Sequence, residues 1–344
     1  MKVTSFLAAF AVAAGVQIAT GSAGYAQSSG SATIDAIRQR GQLLCGVDGN
    51  VAGFSLPDSQ GVMRGIDADY CRAVAAAVLG DVNKVKFVLT GGAARFPSLQ
   101  TGVVDMMSQQ TTWTLTRESS LGLMFTGIYF YDGTGFVVKT ASGIKSAKDM
   151  DGATICVQTG TTTELVVTDY FRRNNMKFTP VLIENLDAIN AAFLSGRCDA
   201  RAGDSSALAG FRMSQGTHAG ELTILPEIIS KEPLGPAVRK GDDKWFDVVR
   251  WTGFALIIAE ENGITSQNVD SFANSTSPDV RRLLGIDGKF GETLGLDNKW
   301  AYNVIKQVGN YQEIWDRDMA PLGIQRGINN LWTKGGLLYA PPNR

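Results

Sequence analysis

One order of elements runs through this chain twice, and it restricts the fold more than any single residue does. A helix is expected over 33–40, then an apolar strand over 43–47, a Gly/Pro-containing loop to Gly61 and an alanine-rich helix over 69–79. A strand over 85–89, a helix near 94–101 and a strand over 104–107 complete the first run. After Phe130-Tyr131-Asp132-Gly133-Thr134-Gly135 the order starts again. Strands are expected over 136–139, 153–157 and 179–183, helices over 164–174 and 188–195, and a last strand-like stretch leads to Asp204. Strands alternating with helices need crossover connections, so the pattern predicts α/β sheets, and its restart predicts two α/β lobes joined by short extended segments. The second unit is expected to close where 228–230 and 237–239 bracket the turn-rich Lys231-Glu232-Pro233-Leu234-Gly235-Pro236. From Trp245 the chain reads as helical: over 245–262, through Arg281-Arg282 to a stop before Gly285, and over 299–316. The tail 317–344 carries Trp332 and Tyr339 and is too apolar to stay loose, so it is expected to fold back onto the first lobe.

Residues 1–26 have the marks of a secretory signal peptide: Lys2, an apolar run from Phe6 to Ile18, and the small residues Gly24 and Ala26 before a cut near Ala26. The mature chain is therefore expected to be exported. Lys and Arg number 32 against 33 Asp and Glu, mixed along the chain, which argues against a nucleic-acid partner. Four cysteines allow three connectivities, and local pairing is the simplest in an exported protein: Cys45 with Cys71, and Cys156 with Cys198. With no Cys-x-x-Cys and His218 as the one histidine, neither a zinc site nor a nucleophile–histidine pair is expected, and no metal or cofactor is called for.

Three segments can carry chemistry. Thr111-Thr112-Trp113-Thr114-Leu115-Thr116-Arg117 follows a strand and ends in a guanidinium whose planar donors, with short hydroxyl donors beside them, suit a small carboxylate. The same segment also reads as a solvated turn opening a helix. Gln158-Thr159-Gly160-Thr161-Thr162-Thr163-Glu164 lies between a strand and a helix, and Thr161 with Glu164 fits a capping box at a positive helix end that binds anions. An ordinary cap is the plainer reading. Asp204 ends a strand, where it can take an ammonium group or serve as a helix N-cap. Loops at the carboxyl ends of strands in open α/β sheets are where ligands bind, which favours the functional reading of all three. Phe54 can pack against the apolar part of a ligand or simply join the core, and Trp113 can be a platform or a wedge. Arg95 is expected to cap a helix or face solvent.

With these residues assembled, the chain resembles the periplasmic solute-binding proteins of ABC transporters for general L-amino acids, over essentially the whole mature sequence. The matching stretches are Gly65-Ile66-Asp67-Ala68-Asp69-Tyr70-Cys71-Arg72-Ala73-Val74-Ala75, the Thr111 to Arg117 segment, Tyr131-Asp132-Gly133, the segment from Cys156 to Leu165, the segment from Lys231 to Arg239, and Trp332-Thr333-Lys334-Gly335-Gly336-Leu337. The resemblance implies a type II periplasmic-binding-protein fold: two α/β lobes, 27–134 with 230–344 and 135–229, closing on a ligand about a two-strand hinge. It implies Arg117 on the ligand α-carboxylate with Thr112 nearby, the Gln110 backbone toward the ammonium, Thr161 and Thr162 at the carboxylate from the second lobe, and Asp204 on the ammonium. It also implies a periplasmic, monomeric receptor that passes an L-amino acid to inner-membrane permease subunits. The alternative readings are an exported enzyme on the same fold, of the cyclic amino or keto acid dehydratase kind, and a sensor for a small carboxylate. Members of the family typically carry Arg-Asn where this chain has Gln109-Gln110, a polar or acidic residue at Met124, a charged pair at Ala93-Ala94, and other polar residues at Gly203 and Ser205. The anchors for a zwitterion are kept while their surroundings have lost charge, which leaves the ligand's side chain open.

Overall fold

The computed structural model describes Met1 and residues 29–344, so the apolar run and the cut of the expected leader lie outside the described residues. Two five-stranded sheets form the frame. In the first, Leu43–Val47 pairs in parallel with Val85–Leu89 on one side and with Met106–Met107 on the other, and Ala237–Arg239 and Leu123–Phe125 extend it antiparallel. In the second, Ala153–Gln158 lies in parallel between Phe178–Ile183 and Ala200–Asp204, and Thr134–Lys139 and Leu222–Ile224 complete it antiparallel. Between the sheets runs a two-stranded antiparallel ribbon, Phe130–Asp132 against Glu232–Leu234, with Asp132 opposite Glu232.

The inner parallel strands Leu43–Val47 and Ala153–Gln158 are largely buried and read as apolar runs, while the parallel edge strands Val85–Leu89 and Phe178–Ile183 stay partly exposed. The helix Ile66–Leu79 follows the first strand and is buried almost all round, between the sheet and the helices Asp243–Glu261 and Trp300–Val308. Its Ala73, Ala75, Ala76 and Ala77 let those neighbours approach closely, and the Tyr70 hydroxyl donates to Val249 O at 2.8 Å. The helix starts at Gly65, whose φ of +117° and position against Phe54, 2.2 Å from where a Cβ would sit, admit no side chain. Leu331, Leu338 and Ala340 of the tail join this same core, as expected. In the second lobe Phe136, Ile155 and Phe171 fill one core, and Ile189, Phe193 and Phe211 another. Both expected disulfides are present, with Cα–Cα distances of 6.1 Å for Cys45–Cys71 and 5.6 Å for Cys156–Cys198. Among the described residues no helix is long and apolar enough to cross a membrane.

Two expectations need correction. The helix expected over 299–316 is two helices, Trp300–Val308 and Tyr311–Asp318. Gly309 takes a φ of +101° between them, and Asn310 restarts the helix with a capping box: its side chain accepts from Glu313 N at 2.9 Å, and Glu313 accepts from Asn310 N at 2.8 Å. The segment Lys231 to Pro236 is not a turn bracketed by strands but holds the hinge strand Glu232–Leu234, while 228–230 stays outside the ladder. Pro233 fits there because the ribbon has two edges and no central strand, and its carbonyl still accepts from Trp113 N at 2.8 Å.

Candidate functional site

The carboxyl ends of both parallel sheets meet in a cleft beside the ribbon. On the first lobe the chain leaves Met106–Met107, turns through Gln110 at a φ of +38°, and bridges Thr112 to Leu234. Thr114 then caps the short helix Leu115–Ser120 by accepting from Arg117 N at 3.2 Å. The cap folds Arg117 back into the protein: it is 7% exposed, its Nη1 donates to Thr112 O at 2.9 Å, and its guanidinium stands 5.1 Å from the Phe96 ring centre. Burial, and then the neighbouring Arg95, pull its pKa down to about 10, so it stays cationic at neutral pH.

Arg95 shares that ring, 5.0 Å from its centre, and is also 7% exposed, which corrects the expectation of a capping or solvent-facing residue. Its Nη1 donates to Gln109 O at 3.2 Å and reaches Thr111 Oγ1 at 3.5 Å, while Nε has no partner. The small residues before it allow this burial: a Cβ at Gly160 would lie 3.1 Å from Ala93, so the second lobe closes over the start of the Arg95–Gln100 helix. Asp48 lines the same wall, its carboxyl pushed up by burial and partly held down by Arg95.

The second lobe brings the start of the helix Thr162–Arg173. The expected capping box is not formed: Thr161 Oγ1 donates to Gln158 O at 2.7 Å, and Glu164 reaches back to Gly160 N at 3.2 Å rather than to Thr161. Thr161 stands at the N-cap without a side-chain cap, so the first-turn amides at the cleft keep no side-chain acceptor from it. Thr162 Oγ1 donates to Glu232 Oε2 at 3.0 Å and lies 3.4 Å from Thr112 Oγ1, which donates to the same oxygen at 2.6 Å. One hinge carboxylate thus joins hydroxyls from both lobes. Its other oxygen accepts from Ser230 at 2.7 Å and Thr134 at 3.3 Å.

Asp204 occupies the N-cap position of the helix Ser205–Ser214 yet makes no capping bond. Asp132 of the hinge takes that part instead, accepting from Ser205 Oγ at 2.6 Å, from the Ser206 hydroxyl, and from Ser206 N at 3.4 Å. Asp204 is left facing the cleft. Burial raises its carboxyl pKa well above the ordinary range, Asp132 and Glu232 push it further, and Arg95 and Arg117 oppose them. Three strand positions earlier, Arg201 is 3% exposed with its guanidinium 4.7 Å from the Phe211 ring centre, and its Nε and Nη1 are buried without a partner. Burial brings its pKa to about 10, with Asp204 acting the other way.

The cleft encloses about 640 Å³, its mouth included, and gathers Gln110, Thr112, Arg117, Thr161, Thr162 and Asp204 on its walls. Phe54 is not among them: it is wholly buried, edge-on to Phe130 at 5.3 Å, and belongs to the first-lobe core. Trp113 also stays off the cleft, stacked on Phe125 at 5.7 Å with Nε1 donating to Glu118 at 2.8 Å. The sequence reading missed Asp132 and Glu232 as organisers and Arg95 and Arg201 as lining. A readable signal did exist for the first two, a lone acid in each of the two extended crossovers.

The family model of bacterial extracellular solute-binding proteins, family 3, matches residues 43–261. The general L-amino acid-binding periplasmic protein AapJ of Rhizobium johnstonii is 51% identical over 324 residues, 93% of this chain and 95% of that protein. The glutamate/glutamine/aspartate/asparagine-binding protein BztA of Rhodobacter capsulatus is 47% identical over 348 residues, covering 100% of both. Among solved structures, an ABC transporter periplasmic binding protein from Brucella ovis with glutathione bound superposes with a TM-score of 0.88 at 50% identity, covering 91% of this chain and 99% of that one. The two-lobed α/β architecture is the type II periplasmic-binding-protein fold. The chain belongs to the bacterial extracellular solute-binding proteins, family 3.

Proposed function

We propose that this protein is the periplasmic receptor of an ABC importer for L-amino acids, or for compounds that keep an intact α-amino-acid head, and that it binds its ligand without turning it over. The observation that carries this reading is the pairing of Arg117, a buried cation on one lobe, with Asp204, a carboxylate that has given up its helix cap on the other. Between them they match the two charges of a zwitterion. The backbone amides of the helix start at Thr161 and Thr162 add donors for the carboxylate, and Thr112, its hydroxyl held by Glu232, stands with Gln110 next to them on the first lobe. The lobes assigned are 27–134 with 230–344, and 135–229, hinged at Phe130–Asp132 and Glu232–Leu234. Ligand contacts on both lobes favour the closed form, which the reading has presented to the permease. The names of the relatives, which include general L-amino acids and the glutamate group, support it, and so does the glutathione of the Brucella ovis protein, whose γ-glutamyl end is such a head.

Arg117→Ala removes the partner of a buried carboxylate and is expected to weaken amino-acid binding by roughly 2 to 5 kcal/mol. Calorimetric titration of both proteins is the check. Equal affinity in variant and wild type would remove the assignment.

A further inference from the structure

A zwitterionic head leaves one cation of the cleft unused. Arg117 donates to Thr112 O, and Glu232 and Asp204 face it. Arg95 donates to Gln109 and Thr111 and stands beside Asp48. Arg201 has nothing comparable: among the described residues it enters no ion pair and its side chain makes no hydrogen bond, and it rests on the Phe211 face in a wall that includes Ile189 and Ala207. The one acid whose charge reaches it is Asp204, which the reading above gives to the ligand's ammonium. A guanidinium 97% withdrawn from solvent, with two orphan nitrogens, is costly in such a wall unless something arrives to meet it. Nε and Nη1 lie on different edges of the guanidinium, and either one together with Nη2 gives two parallel donors that suit a carboxylate at the edge of a ligand cleft.

We propose that Arg201 is the seat of a second carboxylate, carried by the ligand beyond its α-amino-acid head, so that the cleft prefers an acidic amino acid or a γ-glutamyl peptide to a neutral amino acid. The inference rests on the head-group assignment to Arg117 and Asp204 and extends it to the ligand's far end. Both ligand types share one chemistry, and the two differ in the reach from head to second carboxylate. An unpaired Arg201 raises the free energy of the empty cleft, and a neutral amide relieves it only in part, with one accepting oxygen and no charge. A carboxylate relieves it more, so discrimination arises from the difference between acid and amide at one atom.

The test is calorimetric titration of the mature protein with L-glutamate, L-aspartate and γ-glutamylglycine, each beside its amide: L-glutamine, L-asparagine and γ-glutamylglycine amide. Wild type is expected to bind at least one acid about tenfold or more tightly than its amide, a difference of about 1.4 kcal/mol. The acid with the largest ratio identifies the reach. Arg201→Met keeps the length of the stem without the charge and is expected to bring that ratio close to one, with the ligand-free melting temperature held or raised because a buried unpaired charge is gone. Arg201→Lys, which keeps the charge and loses the fork, is expected to retain part of the preference. A wild type that binds amides as tightly as acids, or a ratio that survives in Arg201→Met, overturns the seat at Arg201 and leaves the head-group reading standing. Weakened binding of acids and amides alike in Arg117→Ala supports that reading separately, and a wild type that binds none of the six overturns both.

Discussion

The hinge carboxylate Glu232 makes a prediction that separates a latch from a ligand contact. Thr162 Oγ1 reaches Glu232 Oε2 at 3.0 Å from the second lobe, and Thr112 reaches the same atom at 2.6 Å from the first, so the Thr162 bond exists only while the lobes are together. A hydrogen bond to a charged acceptor contributes roughly 1.5 to 3 kcal/mol. Thr162→Val removes this bond with little change of shape, and the carboxylate keeps Thr112, Ser230 and Thr134, so the low end applies: about 1.5 kcal/mol, or about tenfold in Kd. Glu232→Gln turns an acceptor of four hydroxyls into an amide that accepts at one atom and donates at the other, and is expected to weaken binding by a similar factor. Because the two changes delete the same bond, the double variant should lose only slightly more than either single one, giving a coupling of about 1 kcal/mol. The assay is calorimetry on the four proteins of the cycle, with the ligand that most raises the melting temperature in a screen of amino acids and small carboxylates. Losses that add to within roughly 0.3 to 0.5 kcal/mol would mean that Thr162 serves the ligand and Glu232 braces the hinge independently, and the latch would be refuted.

Two further outcomes follow from the same site and from the frame. Asp204 has a raised carboxyl pKa in the empty cleft, chiefly from burial and then from Asp132 and Glu232, and an arriving ammonium favours its ionised form. Binding should therefore release protons and tighten as pH rises toward that raised pKa; titrations in buffers of different ionisation enthalpy give the proton count, and a count of zero or an uptake would exclude Asp204 as the ammonium's partner. Replacing Cys156 and Cys198 together by Ser opens a 42-residue separation and is expected to cost about 4 kcal/mol of stability in the chain-entropy treatment, read by denaturant unfolding, while a loss below about 1 kcal/mol would place the second lobe's order in its sheet and cores alone.

The frame was legible wherever local pattern and packing agree. Leu43–Val47 falls where its apolar run predicts, because the strand is covered and needs no alternation, while Val85–Leu89, at the sheet edge and half-exposed, is marked by its β-branched and aromatic residues. Pattern failed where one residue outweighs it. Gly309 breaks an otherwise continuous helical stripe, and Pro233 disguises a strand whose ladder needs few donors. Leu123–Phe125 and Leu222–Ile224, at 3 residues each, are too short to show any period. The residues proposed as anchors stand out in the sequence for different reasons: Asp204 ends a strand that pairs in parallel with Ala153–Gln158, where ligands bind, and Arg117 follows the hydroxyl-rich run that opens the helix Leu115–Ser120. Arg95 and Arg201 do not, since an arginine is assigned to solvent unless something shows it covered, and the cover here is the opposite lobe and Phe211. Phe54 failed in the opposite direction: it lies beside the cleft in sequence and behind it in space.

The helix Ile66–Leu79, held between the first sheet and the helices Asp243–Glu261 and Trp300–Val308, sets an order of assembly for a chain delivered from its N-terminus. The stretch 135–229 is continuous, carries its own disulfide and cores, and can settle as soon as it has emerged. The part that seats Arg117 has to wait, because the sides of its central helix stay open until residues beyond 300 arrive. Nascent molecules therefore complete 135–229 before any opposing lobe exists, and the cleft itself is assembled only once the segment from Trp300 onward has arrived rather than in step with length.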